Sequence, residues 1–192
     1  GSEMCIRDRS SGLSGMPFLR TDLAGLLGEL DPARYMRFIQ SQALHPMLML
    51  FTYIPTTAAN KYAGKLDRRP WTYGEPCLEN FRKYLQLRHS LVPYLYTLAA
   101  EAHEVGAPIV RPLLFEYPQD LASWGVEAQY LVGPDLLVAP VMTQDRFGRE
   151  VYLPAGSEWV DFWSDRIYSG GQKINYEAPI DVLPMLARRG AI

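Results

Sequence analysis

The sequence lacks several features that would identify whole classes of protein. Its 192 residues include two cysteines, Cys5 and Cys77, which are too few for a disulfide framework and match no metal-ligand spacing. The formal net charge is -2, so no basic surplus favours nucleic acid or an anionic membrane surface. No apolar run approaches the roughly 20 residues that span a bilayer. We therefore expect no metal, no nucleic-acid partner and no membrane partner.

Nucleotide and nucleophile motifs are absent as well. The glycines at positions 12, 15, 25 and 28 form neither a G-x-G-x-x-G sequence nor a P-loop, so we expect no cofactor. Ser14 lacks the spacing of a nucleophile elbow. His89 and His103 have no Cys, Asp or His partner at ligand spacing, which favours surface or core roles over metal binding.

The first half of the chain alternates strand and helix patterns. Residues 12–19 are predicted to form a short buried strand, and Asp31-Pro32 is typical of a helix start, with a side-chain cap followed by proline. Arg34 and Arg37 are predicted to face outward on that helix. Its predicted inward face consists of Tyr35, Phe38, Ile39, Gln42 and Ala43. Residues 47–54 are almost continuously apolar, as in a parallel strand that is covered on both faces.

Residues 78–118 connect this half to the next. Their apolar positions recur every three to four residues up to Ala102, which predicts one broad helix face. Pro93 is expected to bend or split the helix near Ser90, because proline lacks an N–H and crowds the preceding turn. Gly106, with Pro108 behind it, predicts the end of the helix.

The second half changes to short apolar or alternating runs separated by turn residues, which predicts a small antiparallel β-sandwich. The predicted strands are residues 109–115, 129–132, 135–142, 150–153, 158–162, 172–176 and 182–187. Residues 1–10 share no pattern with the rest of the chain and are interpreted as a non-native leader. We place the strand–helix part at 11–107 and the sandwich at 108–192, and we interpret the sandwich as truncated at its end.

Candidate site residues are selected by the rule that parallel α/β barrels place reacting groups at the carboxyl ends of their strands. This rule selects Asp22 and the segment from Phe51 to Tyr53. The spacing alone leaves two interpretations of Asp22 open, a ligand-binding carboxylate or a turn residue that caps the segment after it. His45 lies at the opposite rim and is predicted to be structural.

Seven motifs in this order resemble glycoside hydrolase family 31, the α-glucosidases, α-xylosidases and their relatives. Residues 15–25, GMPFLRTDLAG, resemble G-x-P-F-W-x-x-D-I-G-G, and residues 68–74, RRPWTYG, resemble R-E-P-W-x-Y-G. Residues 87–96, LRHSLVPYLY, and 108–113, PIVRPL, resemble L-R-x-x-L-L-P-Y-I-Y and P-x-x-R-P-L. The pattern continues in YLVGPDLLVAP at 130–140, YLPAG at 152–156 and WVDFW at 159–163.

The resemblance implies a retaining, exo-acting hydrolase of terminal α-linked sugars. Its fold would be the last strand–helix units of a (β/α)8 TIM barrel followed by a proximal C-terminal β-sandwich. Retention requires two carboxyl groups about 5 to 5.5 Å apart, and in the family both belong to earlier barrel strands. We therefore expect this chain to be a fragment that contains no catalytic residue and has no activity of its own.

The resemblance also implies a substrate-binding role for three residues. Asp22 corresponds to the aspartate of the D-I-G-G motif at the rim of the sugar pocket, and Phe51 and Thr52 lie on the next strand. Many members carry R-x-H there, whereas our alignment places Met49 and Phe51 at those positions. An apolar side chain cannot replace the hydrogen bonds of an imidazole, so the identity of the α-linked sugar stays open.

Two other functions remain as alternatives. A non-catalytic carbohydrate-binding module is favoured by the predicted sandwich with its aromatic residues. A degenerate, inactive family member is favoured by the missing histidine. In each case the expected partner is a carbohydrate.

Overall fold

A computed structural model describes residues 10–22, 30–50, 67–143 and 146–191. The N-terminal part alternates strands and helices, as predicted. Its elements are β1 (Arg20–Asp22), α1 (Pro32–Gln42), β2 (Met47–Met49), a short 3₁₀ helix (Pro70–Tyr73), α2 (Glu75–Ser90) and α3 (Val92–Val105). β1 and β2 pair in parallel, so this part is a pair of strand–helix units of an α/β barrel.

The helix ends lie where local sequence signals predict them. Asp31 caps α1 by accepting a hydrogen bond from the backbone N–H of Arg34 at 2.9 Å. The long helical pattern is split at Leu91, because Pro93 is tolerated only in the first turn of the second helix. Gly106 ends α3 in the left-handed region, with φ at 75°, and its N–H donates to the carbonyl of Ala102.

The C-terminal part is an antiparallel β-sandwich, as predicted. Its elements are β3 (Val110–Arg111), α4 (Leu113–Glu116), α5 (Leu121–Trp124), β4 (Tyr130–Val132), β5 (Leu136–Val138), β6 (Gly148–Leu153), β7 (Glu158–Asp161), β8 (Ile167–Ser169), β9 (Gln172–Glu177) and β10 (Met185–Arg188). One sheet has the order β3-β4-β5-β10-β7-β8, and β6 pairs with β9 in the other.

Strands β4 and β5 of the six-stranded sheet are buried on both faces, which explains why they are apolar throughout. Successive side chains of a strand point to opposite faces. Tyr130 and Val132 belong to the core shared with α1, α2 and α3, whereas Leu131 belongs to the core under β6 and β9. The same alternation separates Met185 from Leu186 in β10. The helices and the sandwich therefore share one continuous apolar core.

The strand predicted at residues 12–19 is wrong. Residues 10–13 are helical, and strand geometry begins only at Arg20. The helical turn closes with Gly15 at a φ of 85°, a conformation that glycine adopts without strain. Gly12 packs so closely against Pro108 that an added Cβ would lie 2.9 Å from the proline Cβ. Gly12 therefore contacts the start of the sandwich, whereas Leu13, Met16 and Phe18 are about half exposed.

The outward orientation predicted for Arg37 is also wrong, since its side chain is 4% exposed. Its guanidinium donates to the carbonyl oxygens of Ala178 at 2.8 Å, Val182 at 3.1 Å and Arg146 at 3.0 Å. Further bonds reach the carbonyl of Pro179 and the side-chain amide of Gln40. Arg37 thus ties α1 to the loop between β9 and β10.

The observed strands differ from the predicted ones at two places in the sandwich and at one place in the N-terminal part. Residues 109–115 do not form one strand, because Pro112 cannot donate to a sheet and a short helix, α4, comes directly after it. The sequence pattern misses β8, since two of its three residues are exposed and give no apolar signal. In the N-terminal part, the predicted strand at 47–54 is observed at Met47–Met49. Residues 51–54 lie outside the described residues.

We predict that Arg37→Met lowers the free energy of unfolding by roughly 3 kcal/mol, because several buried carbonyl oxygens lose a charged donor. Urea unfolding followed by tryptophan fluorescence measures the change. Arg34→Met is the matched control on the exposed side of the same helix, and it should change the free energy of unfolding by less than about 0.5 kcal/mol. Equal effects of the two substitutions would contradict the anchoring role of Arg37.

A second prediction concerns the contact between α3 and β4. The hydroxyl of Tyr94 donates to the carbonyl of Val132 at 2.7 Å, and burial raises the pKa of Tyr94 to about 12. Only a glycine fits at position 133, where a Cβ would lie 2.4 Å from this hydroxyl. Because folding raises the pKa of this phenol, its protonated form contributes to the free energy of unfolding. The contribution is complete below pH 10.0, the ordinary pKa, and is lost as pH rises through about 12.

We therefore expect Tyr94→Phe to lower the free energy of unfolding by about 1 kcal/mol near neutral pH. The difference from the wild type should shrink as pH rises from 10.0 to about 12. Tyr96→Phe is the control, since Tyr96 is 77% exposed on the same helix. A difference that stays constant up to the alkaline limit would contradict this assignment.

Candidate functional site

The candidate site lies at the carboxyl edge of the parallel strands. In the register of β1 and β2, Arg20 is opposite Met47, Thr21 is opposite Leu48 and Asp22 is opposite Met49. Both strands therefore end at the same level, which is the edge where α/β barrels bind their ligands. The structure places the backbone of Asp22 at this edge, as the sequence predicts. Phe51 and Thr52 lie outside the described residues.

The amino edge of the same strands is closed. A cavity of about 10 Å³, scarcely the space that one water molecule needs, remains there. It is lined by Gly12, Met16, Pro17, Leu19, His45, Pro46 and Val110. The imidazole of His45 is 3% exposed and packs edge-on against Tyr130, with ring centroids 5.4 Å apart. His45 is a core residue at this end, and His89 and His103 are exposed on α2 and α3.

The start of β2 is held by Arg88 of α2. Its guanidinium donates to the carbonyl oxygens of Ala43 at 2.7 Å and Pro46 at 2.8 Å, and it also bonds the carbonyl of His45. These carbonyls belong to the end of α1 and to the turn that leads into β2. Arg88 therefore fixes the path by which the chain enters the strand that ends at the candidate site.

The segment from Asp67 to Tyr73, called the rim segment below, leads into α2, the helix that comes after β2 in the chain. The hydroxyl of Tyr35, in the first turn of α1, donates to the carbonyl of Arg68 at 2.6 Å. The rings of Tyr35 and Tyr73 stack with centroids 4.2 Å apart, and the hydroxyl of Tyr73 donates to the carbonyl of Asp67 at 2.8 Å. Burial raises the pKa of Tyr35, so this phenol remains a neutral hydrogen-bond donor. The rim segment is thus fixed to the start of the helix that comes after β1.

One carboxylate on this rim has a strongly shifted pKa. Hydrogen bonds from Arg69 lower the pKa of Asp67 to about 2, so the pair stays ionised at any ordinary pH. The Nε atom of Arg69 lies 2.9 Å from each carboxylate oxygen of Asp67. Sequence reasoning does not identify this pair, because an Asp-x-Arg spacing in a loop is common and carries no specific signal.

No metal or nucleophile site is found in the part of the chain that the structure describes. In residues 10–22, 30–50, 67–143 and 146–191, no group of three His, Cys, Asp or Glu side chains is placed to hold a metal ion. Cys77 is buried, its thiol contacts the carbonyl of Pro32 at 3.4 Å, and burial raises the pKa of the thiol. Across the same residues, no helix is both long and apolar enough to cross a membrane.

The aromatic residues of the WVDFW motif are parts of the sandwich. Trp159 is fully buried in the core between the sheets, and its indole donates to the carbonyl of Pro154 at 3.1 Å. Trp163 lies just beyond β7, where its indole donates to the carbonyl of Leu183 at 2.7 Å. Lys83 covers its ring at 4.9 Å. Trp159 therefore offers no open face for a ligand, whereas Trp163 is 37% exposed.

Comparison with known proteins supports this arrangement. Residues 7–98 match the model of the glycosyl hydrolases family 31 TIM-barrel domain, and residues 106–192 match that of the family 31 C-terminal domain. The chain is 36% identical to alpha-glucosidase 2 of Bacillus thermoamyloliquefaciens over 98% of its own length and 22% of the relative's. It is 30% identical to an alpha-xylosidase of Saccharolobus solfataricus, over 94% of this chain and 24% of the relative.

Solved structures agree with these relatives. A Flavobacterium johnsoniae GH31 dextranase complexed with glucose superposes with a TM-score of 0.87 at 33% identity, covering all of this chain and 24% of the dextranase. A GH31 alpha-xylosidase from a soil metagenome, complexed with xylose, gives a TM-score of 0.86 at 29% identity. That match covers 97% of this chain and 30% of the xylosidase.

The chain thus spans about a quarter of the length of its relatives, 22% of the alpha-glucosidase and 24% of the Saccharolobus alpha-xylosidase. Within that span the parallel strand pair, the capped helices, the sandwich and the ordered motifs all agree with one family. The chain belongs to glycoside hydrolase family 31, of which it represents the end of the TIM barrel and the adjoining C-terminal domain.

Proposed function

We propose that the protein containing this chain is a retaining, exo-acting α-glycosidase that hydrolyses the bond to a terminal α-linked sugar. The proposal rests on the parallel register of β1 and β2, in which Asp22 is opposite Met49 and both strands end together. Barrel enzymes bind their substrates at this carboxyl edge of the strands. Family membership supports the reaction class, because related proteins are named alpha-glucosidase and alpha-xylosidase.

In this proposal the reacting groups and the binding groups are divided along the chain. A retaining enzyme needs a carboxylate nucleophile and a carboxylic acid about 5 to 5.5 Å away, and both would come from barrel strands that precede residue 11. This chain then supplies substrate-binding residues only. The relatives' greater length leaves ample chain for those earlier strands.

Asp22 would bind the terminal sugar through its carboxylate. An ionised carboxylate accepts hydrogen bonds from two or more hydroxyl groups, and such charge-assisted bonds are stronger than neutral ones. Its negative charge also favours the positive charge that develops on the sugar ring in the oxocarbenium-like transition state. Phe51 and Thr52, on the segment after β2, would add an apolar wall and a hydroxyl to the same pocket.

The sugar itself is proposed only as an α-linked pyranose. Met49 and Phe51 take the positions of an R-x-H motif, so the histidine that binds sugar hydroxyls in many members has no counterpart. A pocket without that imidazole loses hydrogen bonds to the ring hydroxyls, which permits sugars other than glucose. The relatives include proteins named for glucose and for xylose substrates.

The proposal predicts that the full-length protein hydrolyses an aryl α-glycoside, whereas residues 1–192 alone do not. Release of nitrophenol from the p-nitrophenyl α-glucoside and α-xyloside measures both. Turnover by the isolated chain would contradict the division of reacting and binding groups. A full-length protein that binds these glycosides without hydrolysing them would instead support the carbohydrate-binding or degenerate-member alternatives.

We also predict that Asp22→Asn in the full-length protein lowers kcat/KM by about 10- to 100-fold, because a charged acceptor becomes a neutral one. The inhibition constant of the free monosaccharide product should rise, because the same substitution weakens binding of the product. Asp31→Asn is the matched control at the same edge, since asparagine caps a helix as well as aspartate does. Unchanged product inhibition in Asp22→Asn would refute direct contact with the sugar.

A further inference from the structure

We propose that Trp71, together with Arg69 and Asp67, forms a stacking subsite for the sugar ring on the leaving-group side of the scissile bond. The proposal rests on the proposed function, because it places this ring next to the terminal sugar bound at Asp22. It extends that function by naming a part of the substrate that residues of the rim contact.

Trp71 is exposed although Arg68 and Pro70, which come just before it, are buried. Its side chain is 59% exposed, whereas Arg68 is 1% exposed and Pro70 is buried beside it. Tyr73, two positions later, stacks on Tyr35. The backbone of the 3₁₀ helix is therefore fixed, and it presents one large aromatic ring to the outside. Such a rigid platform loses little conformational entropy when a ligand binds.

The position of Trp71 is at the catalytic edge and not on the outer side of the barrel. A helix that comes after a parallel strand begins at the carboxyl end of that strand. The 3₁₀ helix leads directly into α2, which comes after β2, and it contacts the first turn of α1, which comes after β1, through the bond from Tyr35 to Arg68. Trp71 therefore lies at the end of the barrel to which Asp22 also belongs.

The chemistry around Trp71 fits a sugar. A pyranose ring has an apolar face of C–H groups that packs on an indole, and equatorial hydroxyls at its perimeter that need polar partners. The guanidinium carbon of Arg69 lies 5.7 Å from the centroid of the indole ring. The side chain of Arg69 donates to Asp67 through Nε and Nη2, and in the proposal its Nη1 would donate to a sugar hydroxyl.

Asp67 completes this polar border. Its pKa is held at about 2 by Arg69, so it stays an ionised acceptor over the whole range in which a glycosidase works. Its side chain is 22% exposed and that of Arg69 is 57% exposed. An apolar platform bordered by a fixed donor and a fixed acceptor is the arrangement that recognises a neutral polyhydroxylated ring rather than a lipid or a charged ligand.

Trp124, which is exposed to the same extent, does not meet these conditions. Trp124 is 58% exposed, but it lies on α5 of the sandwich and its indole N–H is bonded to the carbonyl of Pro118 at 3.1 Å. It is therefore a matched control, with the same residue type and the same exposure at a place remote from the carboxyl edge of β1 and β2.

The test uses the full-length protein with Trp71→Ala, Trp71→Phe and Trp124→Ala. The substrates are α-glucosyl fluoride and α-xylosyl fluoride, which have no leaving-group sugar, and isomaltotriose and a xylose-ended xyloglucan oligosaccharide, which have one. Trp71→Ala should lower kcat/KM for the oligosaccharide by about 10- to 100-fold. For the fluoride that has the same terminal sugar, kcat/KM should change by less than about twofold. Trp71→Phe should restore part of the loss, and Trp124→Ala should change neither substrate.

Equal losses on the fluoride and the oligosaccharide, or no loss on either, would overturn the subsite. If other parts of the protein cover Trp71, the Ala variant lowers the melting temperature without changing the ratio of the two activities, which overturns it too. If the wild type hydrolyses neither fluoride, the proposed function fails separately. In that case calorimetric titration with the two oligosaccharides tests the subsite. Equal affinities of the wild type and Trp71→Ala would refute the subsite, and so would the absence of binding to the wild type.

Discussion

The arrangement of the whole chain depends on one buried guanidinium. Arg37 leaves the first barrel helix and is surrounded by oxygens from the β9–β10 loop, from the turn before β6 and from its own helix. A buried charge costs several kcal/mol unless it is hydrogen-bonded. The two Nη atoms of Arg37 donate to five oxygens, and only its Nε has no partner among the described residues. Any displacement of α1 against the sandwich breaks several bonds at once. Because β1 leads into α1, the sandwich helps to fix the strand that carries Asp22.

Other arginines make comparable connections and explain why the family motifs contain them. Arg88 donates hydrogen bonds to carbonyl oxygens of the turn that leads into β2. Arg111 is 2% exposed and joins Glu101 of α3 to Glu116 of α4 at the start of the sandwich. A guanidinium is planar, permanently charged and rich in donors, so it holds segments that are distant in sequence more precisely than lysine does. These motif residues join the last barrel helices to neighbouring segments and to the start of the sandwich.

Local rules predict much of this structure, and long-range contacts account for the errors. The stereochemistry of a few neighbouring residues explains the cap at Asp31, the break at Pro93 and the end of α3 at Gly106. The burial of Arg37 does not, because helical spacing gives the direction of a side chain but not what packs there. The edge position of Asp22 is predictable from the order of strand and turn. The exposure of Trp71 is not, since its motif identifies the family without indicating which of its aromatic residues is buried.

The shared apolar core has a consequence for how such proteins can be recombined. The family models divide the chain between residues 98 and 106, yet Tyr35, Ile39 and Leu98 pack in one cluster with Tyr130, Val138 and Met185 from the other side of that division. A chimera joined there would combine two half-cores whose side chains differ from those that pack together in either parent, and mismatched packing costs stability. The last barrel helices and the sandwich therefore form a single cassette, which evolution and engineering can exchange only as a whole.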